Sequence, residues 1–282
     1  MKTISYVFAL VAIFCTTGMF AQEYKIPVEN SRNGKLSLND FTGDFTIDGY
    51  DGKEIVISTG QDDEDREVPE RAKGLKPIYS KGTDNTGVGI KMEKNGDEIT
   101  LTCLMPITKR RDYTVKVPNN FSVKVKSECG GANDIVIQNM KNEVEVKTCH
   151  SVKIKNVTGS LVLASISGNI DVDQCGMDKD QTISLATVSG DITTKFTEFN
   201  IKSPIRLATV SGEIDVTLTP KAAVTVKMGT ISGSLYSDFD ITESGKKMKQ
   251  VGGNQVDLPL NGGGTELNLG TVSGNVYLRK GK

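Results

Sequence analysis

The chain has 282 residues, enough for one large β domain or two smaller ones. A formal net charge of −1 argues against a protein that binds nucleic acid or an anionic membrane through a general basic surplus. Glycine is abundant at 29 residues, tryptophan is absent and aromatic residues make up only 6%. This composition favours many short strands and tight turns over a helical protein.

Residues 1–21 have the pattern of a signal peptide. Lys2 supplies the positive charge, Tyr6–Phe14 is an apolar run too short to span a bilayer, and Ala21 ends a plausible cleavage site. A buried N-terminal strand is the alternative. A lipoprotein needs a small residue before its cysteine, whereas Phe14 precedes Cys15. We therefore expect an exported protein that is periplasmic, at the cell surface or extracellular, and not a lipoprotein. No second segment approaches the ~18 apolar residues of a membrane span.

Residues 22–118 are predicted to form an N-terminal β region that caps the rest of the fold. Period-two alternation bounded by Gly, Asn and Asp indicates strands. It occurs at Lys35–Leu38, Asp44–Ile47, Glu54–Ile57, Val88–Met92, Glu98–Leu104 and Asp112–Val117. The segment 61–96 is predicted to be largely an acidic loop that begins with Asp62–Glu67. That run lacks the spaced pattern of a calcium loop, so a solvated loop is the favoured interpretation.

Residues 119–282 are repetitive. Four alternating segments come first: Phe121–Lys126, Asp134–Gln138, Asn142–Lys147 and Ser151–Lys155. A ten-residue phrase then occurs five times, at Leu161–Ile170, Ile183–Ile192, Ile205–Ile214, Val226–Leu235 and Leu267–Val276. The phrases recur at a nearly constant offset, except that the last offset is close to twice the others. We interpret this long interval as two periods, in which one repeat has lost its signature.

A period of ~21 residues is typical of leucine-rich repeats and of β-solenoids. The residues between the phrases are strand-like and show no helical spacing, so the sequence predicts an all-β fold. We expect a parallel β-solenoid of seven or so rungs, with one repeat per rung. Its ends would be open sheet edges that need covering. The N-terminal β region would cover one end, and the charged tail Tyr277–Lys280 the other.

The phrase also predicts where each rung bends. Ile205 and Leu207 share one face, as alternate strand residues do. We expect the alternation to slip by one residue at Ala208, so that Val210 points inward and Ser211 stacks in an outward ladder. Gly212 would then adopt a positive φ or allow the next rung to approach closely.

Four cysteines remain after the predicted cleavage: Cys103, Cys129, Cys149 and Cys175. Their spacing fits no metal motif. Buried thiols are the favoured interpretation, with one disulfide as the alternative. Cys129 and Cys149 lie one repeat apart and would stack on adjacent rungs.

The sequence resembles the bacterial putative-adhesin domain family of unknown function with β-strand repeats. The resemblance depends on the Thr-[Val/Ile]-Ser-Gly-x-Ile phrase, on Gly43–Gly52 and on Tyr113–Pro118, and it extends from Gly34 to Leu278. It implies an exported envelope or surface protein of a bacterium. The family has no established catalytic residues to transfer, and the acidic segment departs from its pattern.

We name no catalytic, cofactor-binding or metal-binding residue, and expect no cofactor. Asp191 and Glu213 follow successive Ser-Gly pairs and would be neighbours on stacked rungs, as a pair of catalytic carboxylates requires. However, outward columns of a solenoid are normally polar for solubility. His150 lies beside Cys149 and Ser151, but adjacent strand residues point to opposite faces, so a structural histidine is favoured.

The favoured function is therefore a non-catalytic exported scaffold for interaction or adhesion. Its partners would be components of the cell envelope, protein or glycan, with no nucleic acid and no membrane span. Two alternatives stay open: a carbohydrate-active β-helix enzyme that uses the acidic column, and an envelope-stress sensor that binds a peptide or a lipid.

Overall fold

The computed structural model describes residues 23–28, 34–60, 70–75, 78–127, 129–130, 134–175, 180–197, 202–239 and 254–281. The predicted signal peptide and the acidic run 62–67 lie outside the described residues. Within them, regular structure is almost entirely β-strand, and the single helical element is a 3-10 turn at Glu70–Ala72.

Most strands of the described residues belong to two sheets of eleven strands each. The first sheet contains, in chain order, β1 (Glu23–Pro27), β3 (Phe45–Tyr50), β4 (Glu54–Thr59), β9 (Tyr113–Pro118), β11 (Ile135–Gln138), β13 (Val152–Lys155), β15 (Ile170–Cys175), β17 (Ile192–Phe196), β19 (Ile214–Leu218), β21 (Leu235–Ser237) and β24 (Val276–Lys280). The second contains β2 (Lys35–Asn39), β7 (Ile90–Asn95), β8 (Glu98–Cys103), β10 (Ser122–Lys126), β12 (Val144–Thr148), β14 (Leu161–Ser165), β16 (Ile183–Thr187), β18 (Ile205–Ser211), β20 (Val224–Ser232), β22 (Asn254–Leu260) and β23 (Thr265–Ser273). A separate hairpin joins β5 (Ile78–Tyr79) and β6 (Gly82–Thr83).

The predicted parallel β-solenoid is confirmed. Each rung consists of one strand of the second sheet and the strand of the first sheet that follows it in the chain. Successive rungs are joined by parallel strand pairing within both sheets. In space the rungs run β8/β9, β2/β3, β10/β11, β12/β13, β14/β15, β16/β17, β18/β19, β23/β24 and β20/β21. The nine rungs of the described residues exceed the expected seven, because β2/β3 and β8/β9 of the N-terminal region continue the same two sheets across residue 118.

Antiparallel strands lie at the ends of the stack. At one end, β4 pairs with β9, β1 pairs with β4, and β7 pairs with β8. These strands belong to the N-terminal region, as expected of its capping role. At the other end β22 pairs antiparallel with β20. The tail does not cap that end, because β24 lies between β19 and β21 inside the first sheet.

The last two rungs are stacked out of chain order. Strand β23 pairs with both β18 and β20, so the final rung of the chain lies between its two predecessors. The long interval between the fourth and fifth phrases therefore holds no lost rung among its described residues. It holds β22, which returns antiparallel along β20 before the chain enters β23. The interpretation of the long interval as two repeats was wrong for this reason.

The core lies between the two sheets. Strand residues alternate between buried and exposed along nearly every rung, so each sheet presents columns of mainly Ile, Leu and Val side chains to the other sheet. Near the N-terminal end the core includes an aromatic cluster, in which Phe41 contacts both Phe45 and Tyr113. The buried Tyr113 hydroxyl donates a hydrogen bond of 2.9 Å to the Val88 carbonyl oxygen, so its polar atom has a partner.

Candidate functional site

The repeated phrase forms a corner between the two sheets, and the bend comes later than predicted. In β18 the alternation runs without a slip, with Ile205, Leu207 and Thr209 buried and Ala208 and Val210 exposed. The chain then turns between β18 and β19. The predicted slip at Ala208 was wrong, because it treated the threonine as a polar residue that must point outward.

The inward threonine is tolerated because its hydroxyl has a partner in the next rung. Thr209 Oγ1 donates to the Gly190 carbonyl oxygen at 3.0 Å, with Thr209 only 5% exposed. The same hydrogen bond recurs at Thr187 to Gly168, Thr271 to Gly212 and Thr230 to Gly274. A buried hydroxyl with a hydrogen bond avoids the desolvation penalty of an unpaired one. The threonine column thus ties consecutive corners together.

The glycine of each phrase permits close approach of the rungs, as predicted. A Cβ atom built on Gly212 would lie 2.0 Å from the Gly190 carbonyl oxygen, and one on Gly190 would lie 2.2 Å from the Gly168 carbonyl oxygen. Such distances are far below van der Waals contact, and the atoms in the way are backbone. Only glycine fits these positions. The serines before these glycines are exposed, and the backbone N–H of Ser211 donates to the Val188 carbonyl oxygen at 2.8 Å.

Because the threonine, or Ser165 in the first copy of the phrase, points inward, the residue after it points to solvent. In five consecutive rungs this residue is a β-branched aliphatic side chain with 44–65% of its surface exposed: Ile166, Val188, Val210, Val272 and Ile231, in spatial order. Pairing of Thr209 with Thr271 and of Ser211 with Ser273 places Val210 beside Val272. We call this column the aliphatic ridge. At a spacing of ~4.8 Å per rung it is about 19 Å long.

A column of small residues runs beside the ridge on the same face of the second sheet. Two positions before each ridge residue lies Ala164, Ala186, Ala208, Gly270 or Gly229, in the same spatial order. A Cβ atom built on Gly270 would meet no atom within 4 Å, so this column is open to solvent. We call it the trough. Part of it forms a depression of about 470 Å³, whose rim includes Arg206, Lys227 and Glu266.

The acidic column lies on the other side of the corner, and the structure does bring Asp191 and Glu213 together. The Glu213 backbone N–H donates to Asp191 Oδ1 at 2.8 Å, and the Asp191 N–H donates to Asn169 Oδ1 at 2.9 Å. Glu213 Oε1 accepts hydrogen bonds from Asn275 Nδ2 and from the Tyr277 hydroxyl. These side chains therefore form a ladder that fixes the corners, which explains a polar residue at the position after each glycine.

The other titratable groups near the corner differ in their surroundings. Burial raises the pKa of the Asp171 carboxyl, and the Asp191 charge adds to that rise while Lys153 opposes it. Asp215 holds Arg279 by two nitrogen atoms, at 2.8–2.9 Å. His150 is half-buried after β12, and its Nε2 atom has no hydrogen-bond partner among the described residues.

The cysteines divide into two kinds. Cys129 and Cys149 form a disulfide, so the alternative of one disulfide is confirmed and the favoured interpretation of buried thiols was wrong for this pair. Cys103 and Cys175 are buried thiols that take no part in a disulfide, and burial raises the pKa of Cys175 to about 12. Pairing of Thr148 with Ser165 puts Cys149 at the position that Ile166 occupies in the next rung. The ridge therefore adjoins the disulfide at one end.

The ridge was not predicted from the sequence. The signal that could have found it was the alternation itself, which stays unbroken through Ile205, Leu207 and Thr209 once threonine is allowed to face the core. In the described part of the chain, no group of three or more His, Cys, Asp or Glu side chains is placed to hold a metal ion. No helix formed by the described residues is long and apolar enough to cross a membrane.

The fold and this surface define a two-sheet parallel β-solenoid with a regular corner that exposes an aliphatic column. A protein-family model described as Toastrack DUF4097 matches residues 90–279, which is more than half of the chain. The chain belongs to the Toastrack DUF4097 family. A search of curated proteins found no match to it.

Solved structures that align with the chain over most of its length share little sequence with it. A putative cell adhesion protein from Clostridium sporogenes is 13% identical, with 93% of this chain and 100% of that chain covered and a TM-score of 0.40. A putative adhesin from Parabacteroides merdae is 11% identical, with 93% and 96% covered and a TM-score of 0.42. A putative lipid binding protein from Parabacteroides distasonis is also 11% identical, with 90% and 96% covered and a TM-score of 0.34.

Proposed function

We propose that the protein is a non-catalytic, exported scaffold of the bacterial cell envelope that binds its partner through the aliphatic ridge. The observation that carries this proposal is the exposure of five β-branched aliphatic side chains in one column. Scattered exposed aliphatic residues are ordinary, whereas a contiguous row rimmed by polar residues is typical of an interaction site. An aliphatic residue occupies this position in all five rungs, although a polar residue there would leave the packing of the core unchanged.

Export is the second part of the proposal, and its support is the order of charge, apolar run and small residues within positions 1–21. The disulfide between Cys129 and Cys149 is consistent with it, because disulfides persist in oxidising compartments outside the cytoplasm. The mature chain would begin at Gln22 and carry no lipid.

The enzymatic alternative uses Asp191 and Glu213 as a carboxylate pair. Against it, both side chains accept hydrogen bonds from the adjoining rung, and such contacts account for them structurally. A catalytic site also needs groups that converge on a substrate. Turnover in a screen of polysaccharides, abolished by Asp191→Asn or Glu213→Gln with the fold intact, would support that alternative. We expect no turnover with the wild-type chain.

The proposal is tested by binding of the mature chain to isolated cell envelopes of the producing bacterium. Val210→Lys places a charge in the middle of the ridge at an outward position, so it should weaken binding without loss of the fold. Thr193→Lys is the matched control, because Thr193 is an exposed outward residue of β17 in the other sheet. We expect binding by the wild type and by the control, and binding at least tenfold weaker by Val210→Lys. Equal binding by all three chains would refute the ridge as the contact surface.

The location is tested separately by cell fractionation and by N-terminal sequencing of the purified protein. We expect a protein outside the cytoplasm that starts at Gln22. A cytoplasmic chain that retains Met1 would contradict export, whatever the ridge binds.

A further inference from the structure

The ridge and the trough lie side by side on one face of the second sheet, and their shapes complement each other. The ridge projects Val and Ile side chains, while the trough presents only Ala and Gly at the same rungs. The two columns are two residues apart along each strand, or ~7 Å by the rise of a β-strand. A convex row and a concave row of equal length and equal rung spacing are therefore displayed together.

We propose that the partner of this face is a second copy of the chain, in a weak dimer whose two-fold axis runs parallel to the solenoid axis between ridge and trough. The proposal rests on the function proposed above and names the partner of that surface. A rotation about this axis places each ridge over the partner's trough, so both contacts form at once. Such self-complementarity is the requirement for an isologous interface.

The charges that flank the two columns agree with this axis. Arg206 lies in the same strand as Ala208 and Val210, on the side of the trough away from the ridge. Asp191 and Glu213 lie beyond the ridge, across the corner. The proposed rotation brings Arg206 of one copy towards the side that carries Asp191 and Glu213 in the other. Opposite charges at the rim of an interface affect the alignment of the two copies and their rate of association more than the affinity of the dimer.

The surface on the neighbouring rungs limits the contact to the five rungs of the ridge. In β10 and β12 the trough position is occupied by Lys126 and Lys147, which would fill the concave row with charge. Five rungs of ~4.8 Å and a width of about five residues give a projected footprint of ~24 Å by ~17 Å, or about 400 Å². A stable interface buries ~800 Å² per partner, so we expect reversible, concentration-dependent association.

Sedimentation velocity of the purified mature chain tests the proposal, over concentrations from ~1 µM to ~1 mM, where weak dimers dissociate and form. We expect the wild type to shift from monomer to dimer within this range. Val210→Lys and, without any charge, the trough-filling Ala186→Leu should each lower the association constant at least tenfold. Thr193→Lys should dimerise as the wild type does. Circular dichroism melting of each variant confirms that the fold is kept.

The direction of the axis is tested with a short bis-maleimide. An equimolar mixture of Val210→Cys and Ala208→Cys chains should cross-link faster than either variant alone, because the axis sets ridge against trough on facing sheets ~10 Å apart. Fastest cross-linking of Val210→Cys to itself would overturn the parallel arrangement. A wild type that stays monomeric, or a dimer that Val210→Lys leaves unchanged, would overturn self-association. Ridge-dependent binding to envelopes would still hold in that case, so failure of the dimer is distinguishable from failure of the proposed function.

Discussion

The corner glycine offers the sharpest test of how the rungs stack. In Gly212→Ala, the new Cβ atom would lie 2.0 Å from the Gly190 carbonyl oxygen and 2.7 Å from its carbonyl carbon. Both are backbone atoms of a strand corner that is itself held by Thr209, so neither can rotate away. The rungs must separate locally, which breaks the adjoining hydrogen bonds. Overpacking in a core costs ~1–3 kcal/mol, and a backbone obstacle places this variant at about 3 kcal/mol or above.

For a chain of this size, ~3 kcal/mol corresponds to a fall in Tm of ~6–12 °C. Gly270→Ala is the matched control, since it lies in another copy of the phrase and has no atom within 4 Å of its Cβ position. Alanine there should leave Tm unchanged or raise it slightly, because glycine inside a strand costs ~0.5–1 kcal/mol relative to alanine. Differential scanning calorimetry measures both. A Gly212→Ala chain that melts within about 2 °C of wild type, a margin of ~1 kcal/mol or less, would refute the close approach of the corners.

Three further predictions concern polar groups and the disulfide. Thr209→Val removes the hydroxyl that donates to the Gly190 carbonyl oxygen, so it should lower the free energy of unfolding by ~1–2 kcal/mol in chemical denaturation. Thr194→Val removes a buried hydroxyl with no partner among the described residues, so it should leave that free energy unchanged or raise it. The opposite order of stabilities would contradict the threonine column. Cys149→Ser opens a bridge across a sequence separation of 20 and should cost ~2–4 kcal/mol, and equal stability of the wild type with and without reductant would count against the disulfide. Burial acts to raise the pKa of Asp84, but hydrogen bonds from Thr86 and from the backbone N–H groups of Gly87 and Gly89 outweigh it and lower that pKa. Ionised Asp84 therefore stabilises its turn fully above the unfolded pKa of ~3.9, and the contribution is lost as pH falls through the lower folded pKa. Asp84→Asn should reduce Tm at pH 7 and reduce the acid sensitivity of Tm below about pH 4, which a series of melting curves against pH would show.

The repeat made the architecture predictable. The constant period of the phrase, strand alternation and the lack of helical spacing predicted the parallel solenoid, and the glycine of the phrase predicted the close approach of its corners. The number of rungs was not predictable from the phrase, because β2/β3 and β8/β9 lack it and join the stack only through long-range pairing. The order of the last two rungs was not predictable for the same reason, because no local sequence feature indicates that β23 pairs with β18 as well as with β20.

The inward and outward positions at the corner were predicted wrongly, because hydrophobicity alone does not show whether a threonine faces the core or the solvent. Thr209 is inward since its hydroxyl finds a carbonyl oxygen that the corner geometry leaves in reach, and that partner lies in another rung. The same error concealed the ridge from sequence-based prediction. Val210 is expected to face the core unless Thr209 is known to face it instead. Asp191 and Glu213 were placed as neighbours correctly, but their role as hydrogen-bond acceptors for the next rung depends on donor groups of that rung that no motif reveals.

Chemical labelling of the aliphatic ridge in intact envelopes shows whether a partner there covers it. Val210→Cys and the control Thr193→Cys are treated with a membrane-impermeant maleimide, first in intact envelopes and then as dilute purified protein, while Cys103 and Cys175 stay buried. We expect both variants to react equally in dilute solution, and Val210→Cys to be protected at least fivefold in the envelope. Equal labelling of the two variants in the envelope would contradict this expectation.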